Sequence, residues 1–273
     1  MRLFKLLNKI FLVLVVLSII VAGGYTYFIS PDDYKFSTYE YTSSKIPSVF
    51  DHFKIAFFSD VHINSKEDVK RFETIIKELN TKTFDMVIFG GDLYEEDIIS
   101  SEEVSKILKS IECQHGKFAV LGEKDKALEI TELLTKGGFE VLNNQQRTIY
   151  YENKTISLLG LNHQDASTLI NDTNKTLFQL AVSHMPDTFK NNDKVVDLQL
   201  SGHSNGGNIY IPFIGGMVLD ENCKTYNHGI YETPNSTLYV TNGVKGTSDF
   251  PFKLFAANEI KFITLNYEQD ILE

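Results

Sequence analysis

The nine residues KIAFFSDVH, numbered 54–62, decide the fold, because an apolar run ends abruptly in an aspartate and a histidine. The run is short and continuous, as in a strand that is buried on both faces. A helical pattern follows, with apolar side chains at a spacing of 3.6 residues: Val69, Phe72, Ile75, Ile76 and Leu79. A buried strand followed by a helix predicts a parallel sheet with helical crossovers.

The same unit occurs twice more along the chain. An apolar run at residues 86–89 ends at Asp92, and a helical pattern follows at residues 101–111. The next run, residues 118–121, leads through Gly122 to Asp125, and a third helix is predicted from Ala127 to Lys136. Three strand–helix units in series favour one parallel sheet.

The second half of the chain has a different pattern. Residues 152–154 separate two strand-like runs, which is a hairpin signal. Further strands are predicted at residues 177–183, 198–201, 238–241 and 260–265. We therefore expect an α/β fold of two packed sheets with helices outside and with more antiparallel pairing in the second half.

The N-terminus carries a candidate membrane segment. Residues 10–29 are uncharged and mostly apolar, which is long enough to cross a hydrocarbon core of about 30 Å. Arg2, Lys5 and Lys9 precede the segment, so the domain is expected outside the cytoplasm, on a single-pass anchor in the cell membrane. A cleaved signal peptide remains the alternative, because residues 21–23 are small enough for a peptidase site. The predicted division is an anchor at 1–29, a linker or edge strand at 30–49, and one domain at 50–273.

Composition narrows the classes of protein. The 273 residues are 42% hydrophobic and 23% charged, which is typical of a globular domain and excludes a disordered, collagen-like or multi-span membrane chain. With 36 acidic and 26 basic residues the net charge is −10, and the part after the basic N-terminus carries −13. Such a domain repels nucleic acid, which is not expected as a partner. Cys113 and Cys223 are expected to be unpaired thiols, with one disulfide as the alternative.

Polar side chains follow five apolar runs, at the point where each run ends. Because the carboxyl ends of parallel strands meet at one edge of a sheet, these side chains are expected to converge. Carboxylate, amide and imidazole groups in one place are typical of a metal site. The residues concerned are Asp60, His62, Asp92, Glu123, Lys124, Asp125, His184, His203 and Asn205.

The motifs that contain these residues resemble those of the calcineurin-like metallophosphoesterases, and the match is closest to a membrane-anchored bacterial branch. They lie at residues 59–62, 91–93, 122–125, 183–187 and 201–207, in the family's order. The resemblance implies a four-layer α/β/β/α sandwich with two divalent metal ions at the strand ends, preceded here by one transmembrane helix. It also implies hydrolysis of a phosphodiester or pyrophosphate by a hydroxide that the two ions share and that attacks phosphorus.

The resemblance also assigns roles by position. Asp60 and His62 would bind the first ion, Asp92 would bridge both ions, and His184 and His203 would bind the second. Glu123 and Asn205 stand at the two remaining ligand positions. Lys124 stands where the family has a histidine that assists the phosphoryl group, so Asp60, Asp92 and Lys124 are the predicted catalytic residues. Imidazole ligands favour Mn, Fe or Zn over Mg.

Three of these positions depart from the family pattern. Glu123 replaces an asparagine, Lys124 a histidine, and Asn205 a histidine. In one interpretation oxygen donors keep the site working, and Lys124 holds a phosphate oxygen. In the other, Lys124 pairs with a ligand carboxylate, and the protein is an impaired pseudo-phosphoesterase that binds a partner or phosphorylated ligand with one metal ion or none. The expected partners are the membrane and a phosphoester, with a lipid or cell-envelope precursor as the candidate.

Overall fold

The computed structural model describes residues 2–30, 33–162, 166–171, 174–247 and 249–269. In these ranges the helices are α1 (Arg2–Phe28), α2 (Lys66–Leu79), α3 (Ser101–Lys109), α4 (Ala127–Lys136) and α5 (Phe189–Asn192). The strands are β1 (Tyr34–Ser43), β2 (Phe53–Phe58), β3 (Met86–Phe89), β4 (Lys117–Ala119), β5 (Glu140–Val141), β6 (Gln145–Tyr151), β7 (Lys154–Leu161), β8 (Gln179–Ser183), β9 (Leu198–Ser201), β10 (Tyr210–Ile211), β11 (Gly215–Gly216), β12 (Gly229–Glu232), β13 (Thr237–Val240) and β14 (Asn258–Tyr267).

The first sheet contains the three predicted strand–helix units. Its order is β1-β14-β2-β3-β4-β5, and the pairs from β2 to β5 are parallel. Phe58 pairs with Phe89, and Phe89 pairs with Ala119, so the three strands end side by side. The loops that carry the predicted site residues therefore leave the sheet at one edge. Antiparallel β14 separates β2 from β1, which pairs with β14 in parallel along all ten residues.

The second sheet has the order β12-β13-β9-β8-β7-β6. The predicted hairpin is β6–β7, and its last pair joins Tyr151 to Lys154. Antiparallel pairs lie at the two edges, whereas β7, β8, β9 and β13 are parallel to one another. The centre of the second half is thus parallel as well. This arrangement brings the ends of β8 and β9, which precede His184 and His203, to a common edge.

Alternating side chains of the first sheet fill two separate cores, one on each face of that sheet. Phe57 and Ile88 point between the sheets, where they join the buried residues of the second sheet. Phe58 and Phe89 point outward and pack under α2, α3 and α4. On the far side the second sheet is covered by α5 and the 3₁₀ turn Ala166–Thr168. The four layers of the predicted α/β/β/α sandwich are therefore present, and within the described residues the fourth layer is thin.

Helix α1 is largely exposed and meets the domain near its C-terminal end. Leu3–Tyr27 is long and apolar enough to cross a membrane, and its most apolar window is not buried in the protein. Past its end, Ser30 donates a hydrogen bond to the Lys253 carbonyl at 2.9 Å, and Asn258 donates one to the Ser30 carbonyl at 2.9 Å. The helix is thus attached to the C-terminal part of the domain. Residues 1, 31 and 32 of the predicted anchor and linker, and residues 163–165, 172, 173, 248 and 270–273 of the predicted domain, lie outside the described ranges. Both cysteines are unpaired, as expected.

Candidate metal centre

Five predicted residues converge at the carboxyl edge of the two sheets. Asp60 and His62 follow β2, Asp92 follows β3, and His184 and His203 follow β8 and β9. All five side chains are buried. The distant loops are joined directly, since the His203 backbone N–H donates to both carboxylate oxygens of Asp60 at 3.1 Å.

The converging side chains form two groups that share one residue. Asp60, His62 and Asp92 each place a ligand atom within 4.8 Å of the others. Asp92, His184 and His203 do the same. Asp92 is therefore the residue that the two groups have in common, and its carboxylate has two oxygens.

The backbone is bent sharply at these residues. Asp60, His62, Asp92 and His203 all have positive φ angles, between 47° and 67°. This left-handed conformation costs a residue other than glycine about 1–2 kcal/mol, and such strain concentrates at functional sites. Gly122 permits the close approach of its loop, because a Cβ atom there would lie 2.0 Å from Asp92 Oδ1.

Each of the three histidine rings at the site has one nitrogen 2.7 Å from an oxygen of the protein. His184 Nδ1 lies 2.7 Å from the Gly90 carbonyl oxygen, and His203 Nε2 lies 2.7 Å from that of Glu221. His62 Nδ1 lies 2.7 Å from Glu95 Oε2. In each ring the second nitrogen remains for the cluster. Metal-binding histidines are typically oriented in this way.

Unsatisfied polar atoms test whether the residues fit a cation. His62 Nε2, His184 Nε2 and the Asn205 side-chain oxygen are buried and have no hydrogen-bond partner. Burying such an atom without a partner costs about 1–3 kcal/mol. Divalent cations at the two groups would give the two imidazole nitrogens a partner and would offset the charges of Asp60 and Asp92. The donor set therefore fits divalent metal ions.

The charges at the site are strongly coupled. Burial disfavours a charged His184 ring, but Asp92 outweighs burial and raises the pKa of His184 to about 10. Burial also disfavours the Asp92 carboxylate, yet the histidines hold the pKa of Asp92 well below its ordinary value. Burial of Asp125 and the nearby negative charge of Asp92 together raise the pKa of Asp125 to about 6. The carboxylates thus require positive charge nearby, which bound cations would also supply.

Lys124 contacts a carboxylate that was not among the predicted ligands. Its ammonium group forms an ion pair with Glu95, and the Glu95 side chain is only 3% exposed. Burial disfavours the charge of Glu95, but His62 and Lys124 lower its pKa to about 2. The Lys124 backbone N–H donates to Asp92 Oδ1 at 3.0 Å. The ammonium therefore lies behind His62, on Glu95, and Asp60 and Asp92 remain available to a metal.

The two other departures from the family pattern differ in position. Asn205 is buried, and its side-chain oxygen lies near Gly243, which also adjoins Asp60. Glu123 lies at the rim: its side chain is 46% exposed, and its Oε2 is 3.8 Å from His203 Nε2. Glu123 belongs to neither of the two groups found among the described residues.

Sequence patterns do not identify Glu95, and they place Asp125 at the site without assigning it a role. Glu95 follows Asp92 by three residues, and the bridge between Ile63 and Tyr94 brings it to His62. Asp125 was noted at a strand end without a role; its carboxylate accepts from the backbone N–H groups of Asp92, Leu93 and Gly122 at 2.8–3.0 Å. Asp125 therefore fixes the Asp92 loop. Its place in the Gly122–Asp125 motif was a usable signal, whereas the contact of Glu95 depends on tertiary structure.

The sandwich and its paired buried groups define the class of the metallophosphoesterases. A family profile described as Calcineurin-like phosphoesterase matches residues 53–206. The chain belongs to this family, which uses divalent metal ions and acts on phosphoesters.

Relatives are found in several bacteria. The Bacillus subtilis protein named "Uncharacterized metallophosphoesterase YkuE" is 31% identical over 258 residues, which cover 89% of this chain and 90% of that protein. The Escherichia coli protein "Phosphodiesterase YaeI" is 26% identical over 202 residues, covering 70% of this chain and 75% of the relative. An "Uncharacterized metallophosphoesterase" of Helicobacter pylori is 28% identical over 78% of this chain, which spans 59% of that relative.

Proposed function

We propose that this protein is a metal-dependent phosphoester hydrolase of the phosphodiesterase or pyrophosphatase type, tethered to the outer face of the cell membrane. The observation that carries the proposal is that Asp92 belongs to both buried ligand groups. One carboxylate shared by two groups supports a pair of ions rather than a single structural ion. The name of the YaeI relative, a phosphodiesterase, agrees with this class of reaction.

Bound divalent ions would supply Lewis acidity and water activated at neutral pH. The residues of the chain hold and orient the reactants around them. Asp60, His62 and Asn205 are the proposed ligands on one side of Asp92, and His184 and His203 are those on the other. Three imidazoles in this set favour Mn, Fe or Zn over Mg. Glu123 is proposed to complete the second side by turning its half-exposed carboxylate inward.

Lys124 is proposed to take the place of the family's histidine. Its side chain is one-third exposed, so the ammonium group can meet a phosphoryl oxygen while it stays beside Glu95. The positive charge would stabilise the negative charge that develops on the phosphoryl group. A lysine ammonium is a flexible point charge, and it therefore suits a substrate whose position varies.

The proposed location follows from α1 and its flanking charges. Basic residues precede the apolar segment, which favours a domain outside the cytoplasm. The attachment of Ser30 to Lys253 and Asn258 keeps the domain close to the end of α1. A phosphoester at the membrane surface, such as a lipid or cell-envelope precursor, is the proposed substrate. A net charge of −13 on the domain argues against nucleic acid.

Hydrolysis of bis-p-nitrophenyl phosphate by the full chain in detergent, with Mn added, tests the proposal. We expect turnover that Asp92→Asn abolishes, together with about two metal ions per wild-type chain. Tyr150→Phe, on exposed β6, is the matched control and should keep full activity. The proposal fails if Mn, Fe and Zn all give no turnover and Asp92→Asn leaves the metal content unchanged.

A binding module without turnover is the second candidate. The exposed position of Glu123, outside both ligand groups, favours it. In this case the purified chain would bind metal and a phosphorylated ligand but would not hydrolyse the nitrophenyl diester. Combining Glu123→Asn, Lys124→His and Asn205→His would then create activity, whereas a working enzyme would gain little from the three changes.

A further inference from the structure

Two loops near the end of α1 expose large apolar side chains. The first, residues 209–217, contains the β10–β11 hairpin, and the second is residues 250–257; we call them the apolar loops. Phe213 is fully exposed, and Ile214, Met217 and Phe255 are 73%, 55% and 69% exposed. The loops are joined, because the Tyr210 N–H donates to the Leu254 carbonyl at 2.9 Å. Clustered exposed apolar residues of this size mark an interaction surface.

The apolar loops lie against the helix that could cross the membrane. The Phe252 and Tyr27 ring centroids are 6.2 Å apart. A cavity of about 450 Å³ lies between the helix residues Val21, Ala22 and Tyr25 and the loop residues Leu254 and Phe255. The apolar surface of the loops therefore continues the apolar surface of α1.

The position along α1 sets the depth. Tyr25 and Tyr27 stand at the end of the apolar segment, where aromatic residues typically mark the membrane–water interface. Val21 lies six residues before Tyr27, which is about 9 Å along a helix axis. Phe255 shares a cavity with Val21 and Tyr25. Phe255 therefore lies beside the last turns of α1, and an insertion of about 5–10 Å would carry it into the acyl boundary.

Charge and backbone geometry agree with this depth. Residues 204–219 contain no aspartate, glutamate, lysine or arginine, although the domain as a whole is strongly acidic. Phe213 and Phe255 have φ angles of 71° and 59°. A left-handed backbone costs such residues about 1–2 kcal/mol. At both positions the strained residue carries an exposed aromatic ring.

We infer that the apolar loops insert into the interface of the same bilayer that holds α1, on the side of its C-terminal end. The occupant of this surface is lipid, because the surface adjoins the end of a membrane helix and residues 209–217 carry no charge. In the second loop Lys253 is buried, and Asp33 is the other charged residue that lines the shared cavity. The domain is thus attached at two points, by α1 and by the loops. This fixes its orientation as well as its distance from the membrane.

The docking also fixes the candidate site relative to the bilayer. Asn205 lies eight residues before Phe213, and Gly207 packs against Gly216, where a Cβ atom would come within 2.8 Å of the Gly207 Cα. The hairpin and the loop that carries His203 and Asn205 therefore move together. Resting on the proposed function, this places the reacting phosphoester at the headgroup level of an amphiphilic substrate.

A single tryptophan tests the docking without any measurement of activity. The chain has no tryptophan, so Phe213→Trp in the full chain gives an isolated signal. The protein is reconstituted in phosphatidylcholine–phosphatidylglycerol vesicles with brominated acyl chains, which quench tryptophan on contact. The control is Tyr150→Trp, because Tyr150 is 69% exposed on β6. Strand β6 is the edge strand of the second sheet at the end away from β12. We expect strong quenching at position 213 and none at position 150.

Three results would overturn the inference. Equal quenching at positions 213 and 150 would mean that the loops lie in water. A tryptophan at position 213 that is shielded from aqueous acrylamide but not quenched by bromine would mean that a protein, such as a second copy, covers the loops. Unchanged quenching of Phe213→Trp after Ile214→Glu and Met217→Glu are added would mean that the apolar side chains do not hold the loops in lipid.

The substrate consequence has its own measurement. Ile214→Glu with Met217→Glu should lower the hydrolysis of phosphatidyl-p-nitrophenol in vesicles several-fold and leave that of soluble bis-p-nitrophenyl phosphate unchanged. Equal loss on both substrates, or on neither, contradicts the consequence. If wild-type protein hydrolyses neither substrate, the proposed function fails, and the quenching result still decides the docking.

Discussion

The two halves of the candidate metal centre are supported in different ways. On one side of Asp92, His62 is backed by the Glu95 carboxylate, which is in turn paired with Lys124. On the other side, His184 and His203 are backed by backbone carbonyls of Gly90 and Glu221. Backbone partners are fixed by the fold, whereas side-chain partners can be exchanged by mutation. Lys124, which departs from the family pattern, belongs to the first half, where it pairs with the Glu95 side chain behind His62.

Removing the shared residue should have the largest effect. Asp92→Asn takes one negative charge from both halves, so both ions should be lost and activity should fall more than the ~100-fold that follows loss of an outer partner alone. Metal content by elemental analysis and kcat/KM for the nitrophenyl diester measure this. Retention of one ion would show that the halves bind independently.

Single histidine variants should separate the halves. His184→Ala and His62→Ala should each reduce the metal content from two ions to one, because each removes a ligand from one group only. Elemental analysis of the two purified variants compares them. Loss of both ions in either variant would mean that one half cannot load without the other. Leu128→Ala, at an exposed position on α4, serves as the control.

Glu95→Gln should weaken only the half that side chains support. It keeps the shape of the side chain but removes the charge that faces His62 and Lys124, so affinity for one ion should fall about 10–100-fold. Titration of the metal-free chain with Mn measures the two affinities separately. Equal weakening of both ions would contradict the division into halves. Adding Lys124→Met to Glu95→Gln should not restore the lost affinity for that ion.

The smallest effect on the metal centre is expected from Lys253, which is buried near Asp60 with its ammonium group on the Asn242 carbonyl. Its effect is on the stability of the fold. Burial lowers the pKa of Lys253 to about 7, although Asp60 and Glu259 oppose the shift. From about pH 7 to the unfolded value of 10.5 the unfolded chain holds more protons. The free energy of unfolding should therefore rise with pH, by at most about 1.4 kcal/mol per pH unit.

Lys253→Met should remove this rise and leave the metal content at two. Urea unfolding in detergent at pH 7 and at pH 9.5, for variant and wild type, measures the slopes. A slope that persists in the variant would assign the pH dependence to other groups.

Much of the fold could be predicted from local pattern. Apolar runs such as residues 54–58 and 86–89 end at a polar residue, and parallel pairing then brings their ends together. The helix from Ala127 to Lys136 has the predicted bounds. The parallel centre of the second sheet was less evident, because its crossovers contain only short helical turns that leave weak periodicity.

The supporting contacts of the site could not be predicted in the same way. Glu95 reaches His62 only because the chain after β3 runs beside the chain after β2. The exposed position of Glu123 and the pairing of Lys124 depend on side-chain directions that spacing does not determine. The uncharged run at residues 204–219 was visible in the sequence, but its exposure and its position beside α1 required the tertiary structure.

The placement of β14 affects how the first sheet forms during protein synthesis. This strand, which ends at Tyr267, lies between β1 and β2 and pairs with both. Until β14 has been synthesised, β1 has no partner among the described strands of the sheet and β2 has only β3, and closing so long a loop is slow. The nascent chain therefore exposes the edges of β1 and β2 that later pair with β14, and the first sheet is complete only after β14 has been synthesised.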